Sequence, residues 1–486
     1  MPSDLPFNVP ANVPANVKSL PRWQLRARFA AAMSEMYGRE VSAYRTLVET
    51  SREVNRDVLA GVADGSVVGE TERVSAERHG AIRVGSPREM HQVSRIFAVL
   101  GMYPVGFYDL REAARKSVPV VATAFRPIEA AELARNPFRV FTSMLVTDDP
   151  RFFDADIQRE LEAFLAARTL FPDELMALVE RAETNGGLTA EESDTFLDLA
   201  LQSFALSKTP IRRAWYERLR EISAVAADIG AEAGTHINHL TPRVLDIDAL
   251  YRRMEAQGIE MIDQIQGPPS WDGPFVLLRQ TSFRALDEER EMLDEEGRPC
   301  RGTLRVRFGE VEARGAALTP EGRALYDRLL AAVDADLAAD PSRTYQDAAK
   351  ERFEAEFPAS FHDLARQGLG YFVYRPTELG LRLGPVASEP DVLALLEAGH
   401  LSAEPIVYED FLPKSAAGIF QSNLTGDGRR REAESGRHLD AGSLSAILGR
   451  RLLDPYALYE AQQNASIEEA LAAIGYARPG RLRTAC

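Results

Sequence analysis

Cysteine is nearly missing from this chain. Cys300 and Cys486 are the only two in 486 residues, too few for a disulfide framework or a thiolate zinc cluster. No stretch approaches the roughly 18 uncharged apolar residues of a membrane-spanning helix. Positive charge is in deficit: 57 Lys+Arg face 73 Asp+Glu, a net charge of −16. That balance disfavours nucleic acid and anionic membrane as partners. It does not exclude a small anionic substrate, because a few buried arginines can make a local positive pocket. Several catalytic signatures are also missing: His-Glu-x-x-His, Gly-x-Ser-x-Gly, a Walker-type Gly-Lys-Ser/Thr loop, and Gly-x-Gly-x-x-Gly after a strand. The first 20 residues hold no basic segment leading into an apolar run, so a cytoplasmic enzyme or binding protein is the expectation.

What is present is an ordinary globular composition, 45% hydrophobic and 27% charged, with length for about three domains. Residues 1–22 carry a Pro/Asn repeat from Pro6 to Val17, which suits an extended arm. Residues 23–70 show apolar residues at helical spacing (Leu25, Phe29, Met33, Met36) and read as a helical entry segment. Residues 71–126 form a first β-rich module, with a helix from Pro87 to Leu100 stopped by Gly101. Residues 127–235 read as an almost wholly helical insertion. A second β-rich module occupies 236–319, with strands at Phe275–Leu278 and Leu304–Val311. Another helical insertion follows at 320–370. A mixed part covers 371–486, with strands near Tyr371–Tyr374 and Ile406–Tyr408 and a helix after Ser466.

The two β-rich modules resemble each other. His79-Gly-Ala-Ile-Arg83-Val84, then a helix ending at Gly101, parallels His239-Leu-Thr-Pro-Arg243-Val244, then a helix ending at Gly258. Internal duplication of this kind organises a long chain. If the modules pair about a pseudo-twofold, their first strands lie side by side and His79 and His239 point into one site. Two neutral imidazoles then need an anionic third ligand to make a facial set with open positions. Glu310 is the best candidate, within Arg305-Val-Arg-Phe-Gly-Glu-Val-Glu312. Strand alternation puts Phe308, Glu310 and Glu312 on one face. The residues leave His236 open against His239, and Glu312 against Glu310. A lone histidine at a strand start is ordinarily a satisfied polar residue, and a Glu pair is ordinarily a solvated strand face. Cys300, in a charged loop, reads as a surface thiol.

The stretch from His239 to Leu250 resembles the first strand and helix of a vicinal-oxygen-chelate module. Four segments resemble the 2-oxoadipate dioxygenase/decarboxylase family more closely: Glu77–Arg83, Asn238–Arg243, Phe308–Gly315 and Tyr408–Leu424. The resemblance implies an α+β fold, with two vicinal-oxygen-chelate-like β-α-β modules forming a curved sheet around a metal site, and large helical insertions. It implies Fe(II) held by His79, His239 and Glu310, and a substrate carboxylate gripped by Arg83. Lys414 and Ser415 would line the substrate pocket together with His79 and Arg83, a lysine there being a departure from a more apolar residue. The implied reaction takes 2-oxoadipate and O2 to 2-hydroxyglutarate and CO2, in lysine catabolism. A metal-dependent isomerase or lyase, or a metal-stabilised binding protein, are the alternatives, and no oligomeric state follows from the sequence.

Overall fold

The computed structural model describes residues 19–61, 77–112, 117–383, 391–412 and 438–476. The chain divides into two units, one drawn from 1–265, 280–313 and 411–453, the other from 266–279, 314–410 and 454–486. Helices and several sheets together make an α+β fold.

Two helices, α1 (Arg22–Glu40) and α2 (Ser42–Ala60), open the first unit. A five-stranded sheet follows, built from β1 (Glu77–Val84), β2 (Tyr103–Asp109), β3 (Val120–Arg126), β4 (Arg139–Leu145) and, after β5 (Ile211–Arg212), β6 (His239–Pro242). Its spatial order is β2-β3-β4-β1-β6. β1 and β4 run parallel, and the other neighbours run antiparallel. β4 lies inside the stretch read from sequence as helical. Every residue of β4 is buried, so it lacks the alternation of a half-exposed strand and reads only as an apolar run. The expected helices of that stretch are present around it, at Ala155–Ala167, Asp173–Asn185 and Ala190–Phe204.

Between β1 and β2 runs α3 (Pro87–Val99). Ser86 and Glu89 form a reciprocal capping box, with Pro87 at the first helical position, the sequence signature of a helix start. One face of the sheet packs Ala81, Ala122, Phe141 and Leu145 into a core with Leu161, Trp215 and Phe411. β5 extends a second sheet with β8 (Glu288–Leu293) and β9 (Pro299–Leu304), while β7 (Leu278–Ser282) pairs with β10 (Glu310–Arg314).

In the second unit, the helix Pro320–Ala339 packs Val333 against Ala348 and Ala349 of the helix Tyr345–Glu356. β11 (Phe372–Pro376) and β12 (Leu401–Pro405) form an antiparallel ladder. The strand expected at Ile406–Tyr408 thus lies just before that position, and the last helix already begins at Pro455. Among the described residues, no helix is long and apolar enough to cross a membrane.

Candidate metal centre

β1 and β6 are antiparallel neighbours, with Ala81 opposite His239 and His79 opposite Thr241. Residues two apart on a strand share a face, so His79 and His239 become diagonal neighbours on one face. Their ring centroids are 5.5 Å apart, with planes at 87°. The repeat-equivalent histidines meet because their strands are paired. The same antiparallel register sends the repeat-equivalent arginines, Arg83 and Arg243, toward opposite strand ends.

The third group comes from β10. The strand expected over Leu304–Val311 is broken, because β9 stops at Leu304 and β10 starts at Glu310. In between, Phe308 N donates to Asn238 O (3.2 Å) and Phe283 N donates to Gly309 O (3.1 Å). The Tyr37 hydroxyl reaches the carbonyls of Asn238 and Phe308 at 2.9 and 2.8 Å. Position 309 requires glycine, since a Cβ there would fall 2.2 Å from the Phe283 ring. Clamped in this way, β10 turns both Glu310 and Glu312 inward, at 2% and 0% exposure. Alternation had placed the two on one face, and the structure brings both to the site.

Glu310 Oε1 lies 3.0 Å from His79 Nε2, and its Oε2 lies 3.7 Å from His239 Nε2. One donor atom from each of the three residues falls within 4.8 Å of the others. Adjacent ligands of an ion bound at about 2.1 Å stand about 3 Å apart, so the trio can hold one divalent ion. His239 Nδ1 is buried and finds no hydrogen-bond partner among the described residues. Burial, and after it the neighbouring His79, holds His239 well below the usual imidazole range, in the neutral form that a metal needs. Its ring stacks on Phe308, with centroids 4.9 Å apart and planes at 27°. His79 differs. Burial pulls it down, but the Glu312 and Glu310 carboxylates outweigh burial and raise it. Two buried carboxylates converging on one ring are costly alone, and a dication offsets that cost.

The remaining candidates are placed as follows. Glu312 meets the other nitrogen of the same ring, with Oε2 2.8 Å from His79 Nδ1 and Oε1 3.9 Å from Arg78 Nε. His236 sits apart from the trio, its Nε2 3.1 Å from Asn238 Nδ2 and 3.4 Å from Asp228 Oδ1. Burial lowers it to about 4. Arg83 shares the His79 face of β1, is buried, and pairs with Asp228 of the helix Ala224–Ala231. Lys414 and Ser415 lie outside the described residues. Sequence reasoning missed Asp228, a lone acid in the otherwise apolar run Ala-Val-Ala-Ala-Asp-Ile-Gly-Ala, which was itself the available signal. It also missed Arg139, fully buried beside His79 in the β1–β4 register. Nothing in the periodicity of that strand marks it.

Fold and site thus define an α+β protein with a buried donor set of two histidines and one glutamate. The sequence model of one family, 2-oxoadipate dioxygenase/decarboxylase, matches residues 29–423. The chain belongs to that family. It is 50% identical over 444 residues to the 2-oxoadipate dioxygenase/decarboxylase of Mycobacterium tuberculosis, covering 91% of this chain and 97% of the relative. Its counterpart in Pseudomonas putida is 43% identical over 464 residues, covering 93% and 97%. The crystal structure of the Pseudomonas putida hydroxyglutarate synthase in complex with 2-oxoadipate superposes with a TM-score of 0.79 at 39% identity, over 94% of this chain and 99% of that one.

Proposed function

We propose that this chain is a cytoplasmic iron(II)-dependent enzyme of lysine catabolism that converts 2-oxoadipate and O2 into 2-hydroxyglutarate and CO2. The observation that carries the reading is the His79–His239–Glu310 donor set in a member of this family. Two imidazoles and one carboxylate on one face of an ion are the ligands of non-haem iron(II) oxygenases. Bound there, iron(II) would supply open positions for the keto and carboxylate oxygens of a 2-oxoacid and the means to activate O2. The pairing of β1 with β6 supports reading the sheet as two vicinal-oxygen-chelate-like modules joined through their first strands.

The protein's own groups do the rest. His79, His239 and Glu310 present their donor atoms from three strands, so substrate enters a preset geometry. Phe308 and Phe411 press their rings on the two imidazoles, at 4.9 Å in each case, and keep the centre dry. Arg83 takes a substrate carboxylate through two parallel hydrogen bonds, its guanidinium steadied by Asp228. Lys414 and Ser415, outside the described residues, are assigned to substrate contact by the family resemblance alone. The reaction balances with O2 as the oxidant and no second 2-oxoacid: the C1–C2 bond breaks and C1 leaves as CO2. One oxygen atom enters the new carboxylate and the other becomes the hydroxyl beside it.

The test is oxygen uptake with 2-oxoadipate after anaerobic loading with iron(II). One O2 consumed per 2-hydroxyglutarate formed is expected. Turnover without oxygen uptake would make the chain an isomerase or lyase instead. His79→Ala and His239→Ala should each abolish turnover and lower iron content, and either variant keeping both would remove its histidine from the donor set.

A further inference from the structure

Glu312 has no part in the reaction just described, yet it is the most deeply buried acid at the centre, at 0% exposure. We infer that Glu312 is the positioning residue of His79, holding the proton on Nδ1 so that Nε2 keeps its lone pair for the metal. The inference rests on the metal-holding reading of His79, His239 and Glu310.

A neutral imidazole carries one N–H and one bare nitrogen, and the partner of the first decides which is which. The His79 ring is bracketed by two carboxylates from one strand: Glu310 at Nε2 (3.0 Å) and Glu312 at Nδ1 (2.8 Å). The two nitrogens lie on different sides of the ring, so Glu312 faces away from the point where the three donor atoms meet. A carboxylate on the outer nitrogen of a ligating histidine sets both tautomer and ring plane, and makes the ligand more basic.

The backbone supports the same role. Val244 N donates to Glu312 O at 2.8 Å, and Arg243 bridges Glu312 in a parallel pairing. Glu312 is therefore tied by its main chain to the segment that follows His239 and by its side chain to His79. One residue aligns both histidines. Arg78, 3.9 Å from the carboxylate, offsets part of its charge in the interior. The second histidine is held otherwise, since the His239 ring leans on Phe308, with centroids 4.9 Å apart, where the His79 ring meets the Glu312 carboxylate.

The experiment is an anaerobic titration of the full-length apo-protein with cobalt(II), read by its d–d absorption and by competition with a chelator. Wild type should bind one cobalt per chain. Glu312→Gln should still bind one, with affinity lowered 10- to 100-fold, the range for such outer partners, whereas Glu310→Gln should lose the spectrum. Glu312→Asp, which keeps the charge, should fall between wild type and Glu312→Gln and guards against a folding defect in the latter. In a His79→Ala background, Glu312→Gln should change the residual affinity no further, because its effect passes through that ring. Wild-type affinity in Glu312→Gln would overturn the inference. So would loss as complete as in Glu310→Gln, which would make Glu312 a ligand. Absence of any one-per-chain cobalt site in wild type would instead overturn the metal reading itself.

Discussion

Arg83 and His236 show how the partners of a buried side chain decide what it can do. Both meet Asp228, which also accepts from Asn238 Nδ2 at 3.0 Å. The acid leaves the Arg83 guanidinium in a set pose on the His79 face of β1, suited to a planar bidentate contact. Arg83→Ala should therefore retain bound metal yet lose about 100-fold or more in kcat/KM for 2-oxoadipate, as expected for two charge-assisted hydrogen bonds. Arg83→Lys should restore only part of it, since a point charge cannot make the paired contact. Near wild-type turnover in Arg83→Ala, with product and metal assayed together, would reduce the residue to an internal ion pair. His236→Ala is the matching control. His236 turns to Asp228 and Asn238 rather than to the donor set, so its loss should leave metal content unchanged. The sequence made the histidine pair legible through the repeat, because equal spacing survives folding. It could not rank His236 against His239, or separate the tasks of Glu310 and Glu312. Those depend on which nitrogen each group meets, a matter of register between strands distant in the chain.

Elements with local signals were legible, and elements stabilised by distant contacts were not. α3 announces itself by Ser86-Pro-Arg-Glu89, whose capping box is satisfied as written. β4 carries no such mark, since its identity as a strand comes from lying between β1 and β3. The break before β10 comes from Phe283 and Tyr37 claiming the backbone at Gly309 and Phe308, which no local pattern records. The junction of β1 and α3 then carries more than a helix start. Glu89, at 0% exposure, accepts from Gly85 N at 2.6 Å and from Arg168 Nε and Nη2 at 2.7 and 2.9 Å. Gly85 is closed in as well, as a Cβ there would meet Leu165 Cδ2 at 2.2 Å. Glu89→Gln keeps the shape but strips the charge from a buried pair, at a cost of about 3–5 kcal/mol. Urea unfolding should show that loss in the midpoint with little change in slope. A cost below about 1 kcal/mol would mean that Arg168 is satisfied by its contacts to the carbonyls of Ile229 and Glu232 alone.

For the molecule as a whole, the net charge of −16 says little about the potential where substrate binds. Arg78 stands 3.9 Å from Glu312 and Arg83 pairs with Asp228, all of them buried, so buried acids there face buried cations. The centre gathers two buried carboxylates, Glu310 and Glu312, beside a His239 that burial holds well below the usual imidazole range. A divalent ion held by the proposed trio would offset that negative charge, and it would bind the folded chain alone, because the three donors come from strands far apart in sequence. Ligation of that kind adds to folding stability by mass action, about 2.7 kcal/mol when the free ion stands at 100 times its dissociation constant. In a unit of several hundred residues this amounts to roughly 3–5 °C in Tm. Calorimetry of chelator-treated protein, with and without saturating cobalt(II), should show a rise of that size for wild type and none for Glu310→Gln. Glu312→Gln should recover the full rise only at 10- to 100-fold higher cobalt, which separates loss of affinity from loss of the site. Equal melting temperatures for wild type with and without cobalt would mean that the donor set does not hold the ion in the folded state.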